Sequence, residues 1–145
     1  MDMIAIDLRK AELIVSSFSK AASGHWIMNG KHWRFTASST NSVIGTTVLE
    51  ALDQSAKSIV VYDPKVNPSS SLLTLVGVRT YSAYMSGVRE VEIEREDGVI
   101  RLIPTTNGGN RSGFTQLAGE TELIVAGSPE QIGAAVNRAL DAATA

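Results

Sequence analysis

The chain has 145 residues and a mass of 15.4 kDa, the size of one domain that can bury its own core, and residues 1–145 read as a single unit. It contains no cysteine, which excludes disulfide frameworks, thiolate metal sites and thiol nucleophiles. Hydrophobic residues make up 43% and charged residues 19%, as in a globular chain, and the formal net charge of −2 argues against a broad electrostatic footprint for nucleic acid.

In chain order, Met1 to Lys10 lacks the charged-then-apolar pattern of a signal peptide. No apolar run approaches the roughly 20 residues of a membrane-spanning helix, so a soluble cytoplasmic protein is expected. Leu13-Ile14-Val15 fits helix or strand by periodicity, and the serines at 16, 17 and 19 tilt it to strand. His25-Trp26 recurs as His32-Trp33 around Asn29-Gly30, which reads as a turn flanked by histidines and aromatic anchors. No carboxylate lies close to either histidine in sequence, so neither a metal site nor a held acid–base pair is indicated. Trp33 to Ala37 reads as strand.

A helix over 41–55 follows, capped by Thr40, with Ile44, Val48, Ala51 and Leu52 on one stripe. Ser58 to Tyr62 is β-branched and bounded by Asp63-Pro64, and predicts a buried strand. Asn67 to Ser71 is a polar loop. Short helices are expected at 72–76 and 80–85, the second ended by Gly87. Val88 to Arg95 alternates as a strand, Glu96-Asp97-Gly98 is a hairpin turn, and Val99 to Ile103 returns, with Pro104 ending it. Asn107 to Gly113 is a loop; it lacks the lysine and the following helix of a phosphate-binding loop.

Glu122 to Ala126 predicts a strand, and a second helix over 129–143 carries Ser128 as cap, Pro129 at N1 and Gln131 at N3, the capping-box arrangement. The two capped helices echo each other. Thr40–Asp53 can be laid over Ser128–Asp141 without a gap, with Ile-Gly, Val, Ala-Leu and Asp at the same places. Gly45 and Gly133 match in this alignment. Each costs about 1 kcal/mol against alanine in a helix interior, which predicts close approach of each helix to a sheet. The architecture expected is α+β, a mixed or antiparallel sheet with the two similar helices packed on it.

Two side-chain groups stand out. Glu90, Glu92, Glu94 and Glu96 share one face of a strand, with Val91 and Ile93 on the other. Their mutual repulsion works against stability. Two readings stand side by side: a docking surface for a basic partner, or the solvated face of an edge hairpin kept polar against aggregation. Tyr81, Tyr84 and Met85 form either an interface patch or core packing.

The run Ile44 to Ser55 resembles the helix motif of the immunity proteins of bacterial contact-dependent growth inhibition systems. So do Val91 to Thr105, Gly113-Phe114 and Ser128 to Gly133, with Ser17-Phe18-Ser19 and Gly24 upstream. The resemblance implies an inhibitor that binds the C-terminal toxin domain of a large surface effector, often a nuclease, and blocks access of substrate. It carries over no catalytic, metal or cofactor residue, and implies no direct contact with nucleic acid or membrane. Because nuclease clefts are basic, the expected toxin-binding residues are Glu90, Glu92, Glu94, Glu96 and Asp97, with Tyr81 and Tyr84 beside them. The competing readings are a small enzyme using His25 or His32 with Asp63 or Glu50, and a scaffold subunit that oligomerises through a sheet edge.

Overall fold

The computed structural model describes residues 1–145. Seven strands, β1 (Asp2–Arg9), β2 (Glu12–Lys20), β3 (Trp26–Thr36), β4 (Arg89–Glu96), β5 (Val99–Asn107), β6 (Phe114–Gln116) and β7 (Glu122–Val125), alternate with helices α1 (Asn41–Lys57), α2 (Ser70–Val76), α3 (Tyr81–Met85), α4 (Gly109–Ser112) and α5 (Pro129–Ala142). The strands form one sheet in the order β3-β2-β1-β4-β5-β6, with β7 also on β5. Every strand pair is antiparallel, which gives a single α+β domain.

The caps start the two long helices as the sequence predicts. The Val43 amide donates to Thr40 Oγ1 at 3.3 Å. Gln131 N donates to Ser128 Oγ at 3.2 Å while Ser128 N donates to Gln131 Oε1 at 2.9 Å, a complete capping box. Ser128→Ala is expected to cost about 1 kcal/mol, read as a lower urea midpoint with an unchanged slope. The stripes Ile44, Val48, Ala51, Leu52 and Ile132, Val136, Ala139, Leu140 pack on one face of the sheet against Ile4, Ile6, Leu13, Val15, Val91, Ile93, Ile100 and Leu102.

The matched glycines face each other's helix and not the sheet. A Cβ on Gly45 would overlap the Pro129 carbonyl, and one on Gly133 would overlap the Asn41 carbonyl. Each glycine thus admits the first turn of the other helix. Asn137 Nδ2 donates to Asn41 Oδ1 at 2.8 Å beside the crossing. The echo in sequence is therefore an echo in packing: two like helices approach backbone to backbone through equivalent positions.

Other expectations are corrected. Residues 26–36 form one strand, without the turn expected at Asn29-Gly30. Gly30 takes φ +86, and the β2–β3 register shifts between Ser16 and Phe18, so Asn29-Gly30 makes a bulge and not a reversal. Residues 58–62 form no strand, and Ile59 is 95% exposed. Their β-branched composition suits a pleated, half-buried surface, but the segment leaves α1 without meeting a strand edge that would pair it. Pro104 does not end its strand. Below it β5 pairs with β7 over Val99–Leu102, and above it with β6 over Thr105–Asn107, so the residue without an N–H falls where one partner gives way to the next. Finally, the β4–β5 hairpin, turned by Asp97 (φ 51) and Gly98 (φ 76), is no edge, because β4 lies between β1 and β5.

On the opposite face, α2 and α3 cover only one end of the sheet. Leu72, Leu73 and Tyr84 pack there on Ile14. The 107–113 segment, expected as a loop, winds into the single turn of α4. No helix is long and apolar enough to cross a membrane.

Candidate docking face

Because α2 and α3 stop short, the rest of the face that carries the even-numbered glutamates of β4 lies open. The four glutamates fare differently along it. Glu90 is 7% exposed and Tyr84 fully buried, so these two of the seven expected contact residues lie inside the protein, beneath α3. Tyr81 is half-buried and stacks on Tyr84 with ring centroids 5.6 Å apart. Glu92 and Glu94 are half-buried, while Glu96 and Asp97 are exposed. The usable stripe is Glu92, Glu94, Glu96, continued at the turn by Asp97.

Pairing fixes the neighbours of this stripe. Ala5 and Ile103 flank Glu92, Met3 and Arg101 flank Glu94, and Val99 lies opposite Glu96. Outward on one side, Leu123 opposes Arg101 and Val125 opposes Val99; they are 60% and 73% exposed. On the other side Phe18 opposes Met3, and Met28 opposes Phe18. A line of carboxylates thus runs between two apolar borders. Burial raises the Glu92 carboxyl above its usual range, opposed by the hydrogen bond from Gln116 Nε2 at 2.6 Å and reinforced by the charge of Glu94. The ion pairs of the protein lie elsewhere, at Arg34–Glu12, Arg95–Asp2, Arg95–Asp53 and Arg138–Glu122. None neutralises Glu92, Glu94, Glu96 or Asp97.

The apolar borders were not read from the sequence, although the signal was there. Leu123 and Val125 alternate with Glu122 and Ile124, and only the strand order reveals that the exposed pair extends the acidic face.

The histidines of the enzyme reading are not brought to their carboxylates. His25 is exposed, stacks on Tyr62 at 4.0 Å, and hydrogen-bonds Ser23 Oγ at 2.9 Å. His32 lies between two hydroxyls, Ser16 Oγ at 2.9 Å on Nδ1 and Ser71 Oγ at 2.7 Å on Nε2. Burial lowers its pKa, which suits a neutral ring tying α2 to β2 and β3. Neither histidine hydrogen-bonds Asp63 or Glu50; the Asp63 carboxylate instead accepts from the Lys65 amide at 2.9 Å. Between β3 and the 58–71 segment lies a groove of about 320 Å³ lined by Ile27, Met28, Val61, Tyr62 and Val66.

No family model matches the chain, and no curated protein matches it in sequence. Among solved structures, a protein of unknown function from Neisseria meningitidis is similar at TM-score 0.76 and 19% identity, over 99% of this chain and 96% of that one. A chain of the CdiA-CT/CdiI toxin and immunity complex from Yersinia pseudotuberculosis is similar at TM-score 0.73 and 15% identity, over 98% of this chain and 97% of that one. At these identities the likeness is one of fold.

Proposed function

We propose that the protein is an immunity protein, which binds the toxin domain of a contact-dependent growth inhibition effector in the cytoplasm and blocks the toxin's access to substrate. The observation that carries this reading is the end-to-end likeness of fold to a chain of a toxin and immunity complex. The open acidic face supports it. A nuclease presents a basic cleft to its polyanionic substrate, and Glu92, Glu94, Glu96 and Asp97, unpaired and bordered by exposed apolar side chains, have the charge and chemistry to cover such a cleft. Glu90 and Tyr84 do not touch the partner in this reading, and Tyr81 sits at the edge of the face.

The protein has no catalytic role of its own in this account. The double variant His25→Ala/His32→Ala is accordingly expected to retain protection against the toxin in a growth-competition assay, with a folded protein confirmed by circular dichroism. Loss of protection by a folded variant would favour the enzyme reading. The function itself is tested by co-expressing the chain with a candidate cognate toxin domain of a contact-dependent growth inhibition effector. Rescued growth and a co-purifying complex are expected; growth arrest with both proteins present at full level would refute the assignment.

A further inference from the structure

Asp7 and Glu90 lie directly opposite each other on β1 and β4. Both are almost wholly buried. Tyr84 Oη donates to Asp7 Oδ2 at 2.5 Å, while Asp7 Oδ1 is buried with no partner. Ile14 of β2 and Thr105 of β5 flank the pair across the sheet; the Thr105 hydroxyl donates to the Glu90 backbone carbonyl at 2.7 Å, not to its carboxyl. The titratable and charged groups that face the pair are Tyr81 and Tyr84 from α3, Glu92 from β4 and Arg9 from β1. Arg9 does not neutralise it. Its Nε donates to the Tyr84 carbonyl at 3.2 Å, its guanidinium lies 5.5 Å from the Tyr84 ring centroid, and it forms no ion pair with either carboxylate.

Two ionised carboxylates on adjacent strands, shut from water and without a cation, repel strongly. Carboxyl pairs in such surroundings hold one proton between them. We propose that Asp7 and Glu90 share one proton at neutral pH, with the Glu90 carboxylic acid donating to Asp7 Oδ1, and that this proton latches α3 and the 70–87 segment onto the sheet.

The arrangement closes every open end of the cluster. The orphaned oxygen gains its donor, and Tyr84 holds the other oxygen. Burial and the charge of Asp7 push Glu90 well above its usual value. Burial also raises Asp7, with the hydrogen bonds from Glu90 and Tyr84 pulling it back down. The Tyr84 phenol is pushed far up by burial and by Asp7, and so remains a donor. Because the folded state binds a proton that the unfolded state releases, the latch contributes fully below the ordinary glutamate value and is lost as pH rises through the raised one. Ionisation of Glu90 places a second charge beneath Tyr84 and loosens α3, along with the contacts of Leu72 and Leu73 with Ile14. The latch lies beneath α3, beside the docking face, and does not depend on what docks there.

The test is hydrogen exchange of residues 70–87 in the free protein from about pH 6 to pH 9, corrected for intrinsic exchange. The wild type should open more as pH rises, by up to about tenfold per unit while opening releases the Glu90 proton, and level off once Glu90 is ionised in the closed state. Glu90→Gln, whose amide supplies a permanent donor to Asp7 Oδ1, should show a flat profile. A wild-type profile without the rise, or an equal rise in Glu90→Gln, overturns the proposal. Carbon-13 NMR of the wild-type Glu90 carboxyl decides it without a variant: titration well above the ordinary glutamate range is expected, and titration within the ordinary range would refute the shared proton.

Discussion

Gly45→Ala or Gly133→Ala is expected to destabilise the protein by about 3 kcal/mol, against a helix propensity that favours alanine by about 1 kcal/mol. The sign is decided by what the new methyl group meets. At Gly45 it is the carbonyl of Pro129, and at Gly133 the carbonyl of Asn41. Both are backbone atoms in the first turn of a capped helix, so no rotamer change relieves the overlap. The helices must move apart, and the stripes they bury between them, Ile44 and Val48 against Ile132 and Val136, lose contact. For a chain of this size about 3 kcal/mol lowers the melting temperature by roughly 10 °C. Thermal and urea unfolding of the two single variants checks this. A variant as stable as the wild type, or more stable, would show that the helices tolerate wider separation.

Charge reversal of the open face should have the largest effect on binding. Glu92→Lys/Glu94→Lys is expected to slow association with a basic toxin domain by about tenfold at low salt, with the difference shrinking as salt is added. Glu50→Lys/Asp141→Lys makes the same change in net charge at exposed positions on the helical layer, and it should leave the association rate close to that of the wild type. If the two double variants behave alike, overall charge and not this face governs the encounter. A carboxylate of the stripe that becomes buried and hydrogen-bonded in the complex would show itself differently, through faster dissociation and a loss of about 2–5 kcal/mol on truncation.

How much of this was legible in the sequence depended on whether the signal was local. The caps at Thr40 and Ser128, the two apolar stripes, the short helices α2 and α3 and the Asp97-Gly98 turn all follow from residues within a few positions of one another. Strand β1 passed unread because its hairpin to β2 turns on Lys10 and Ala11, both at positive φ, without the asparagine or glycine that usually marks such a turn. The glycines announced a close approach but not to what, because the partner backbone lies in the other helix. The glutamate stripe was visible as a period of two, yet its division into buried Glu90 and open Glu92, Glu94 and Glu96 depends on where α3 settles and on β4 being central in the sheet. Both are long-range facts that no local pattern encodes. The exposure of Ile59 and Val61 is the reverse case: composition suggested a strand, and no partner strand was there to pair it.

As proposed above, the protein would neutralise a toxin domain by covering its active cleft. The most direct measurement is a titration of the purified cognate toxin domain with the protein, following both complex formation and the toxin's catalytic activity in the same samples. A saturable complex is expected, with its stoichiometric point coinciding with complete loss of activity, and a weaker complex with Glu92→Lys/Glu94→Lys. Full toxin activity in the presence of excess folded protein, or no complex at micromolar concentrations, would contradict the proposal.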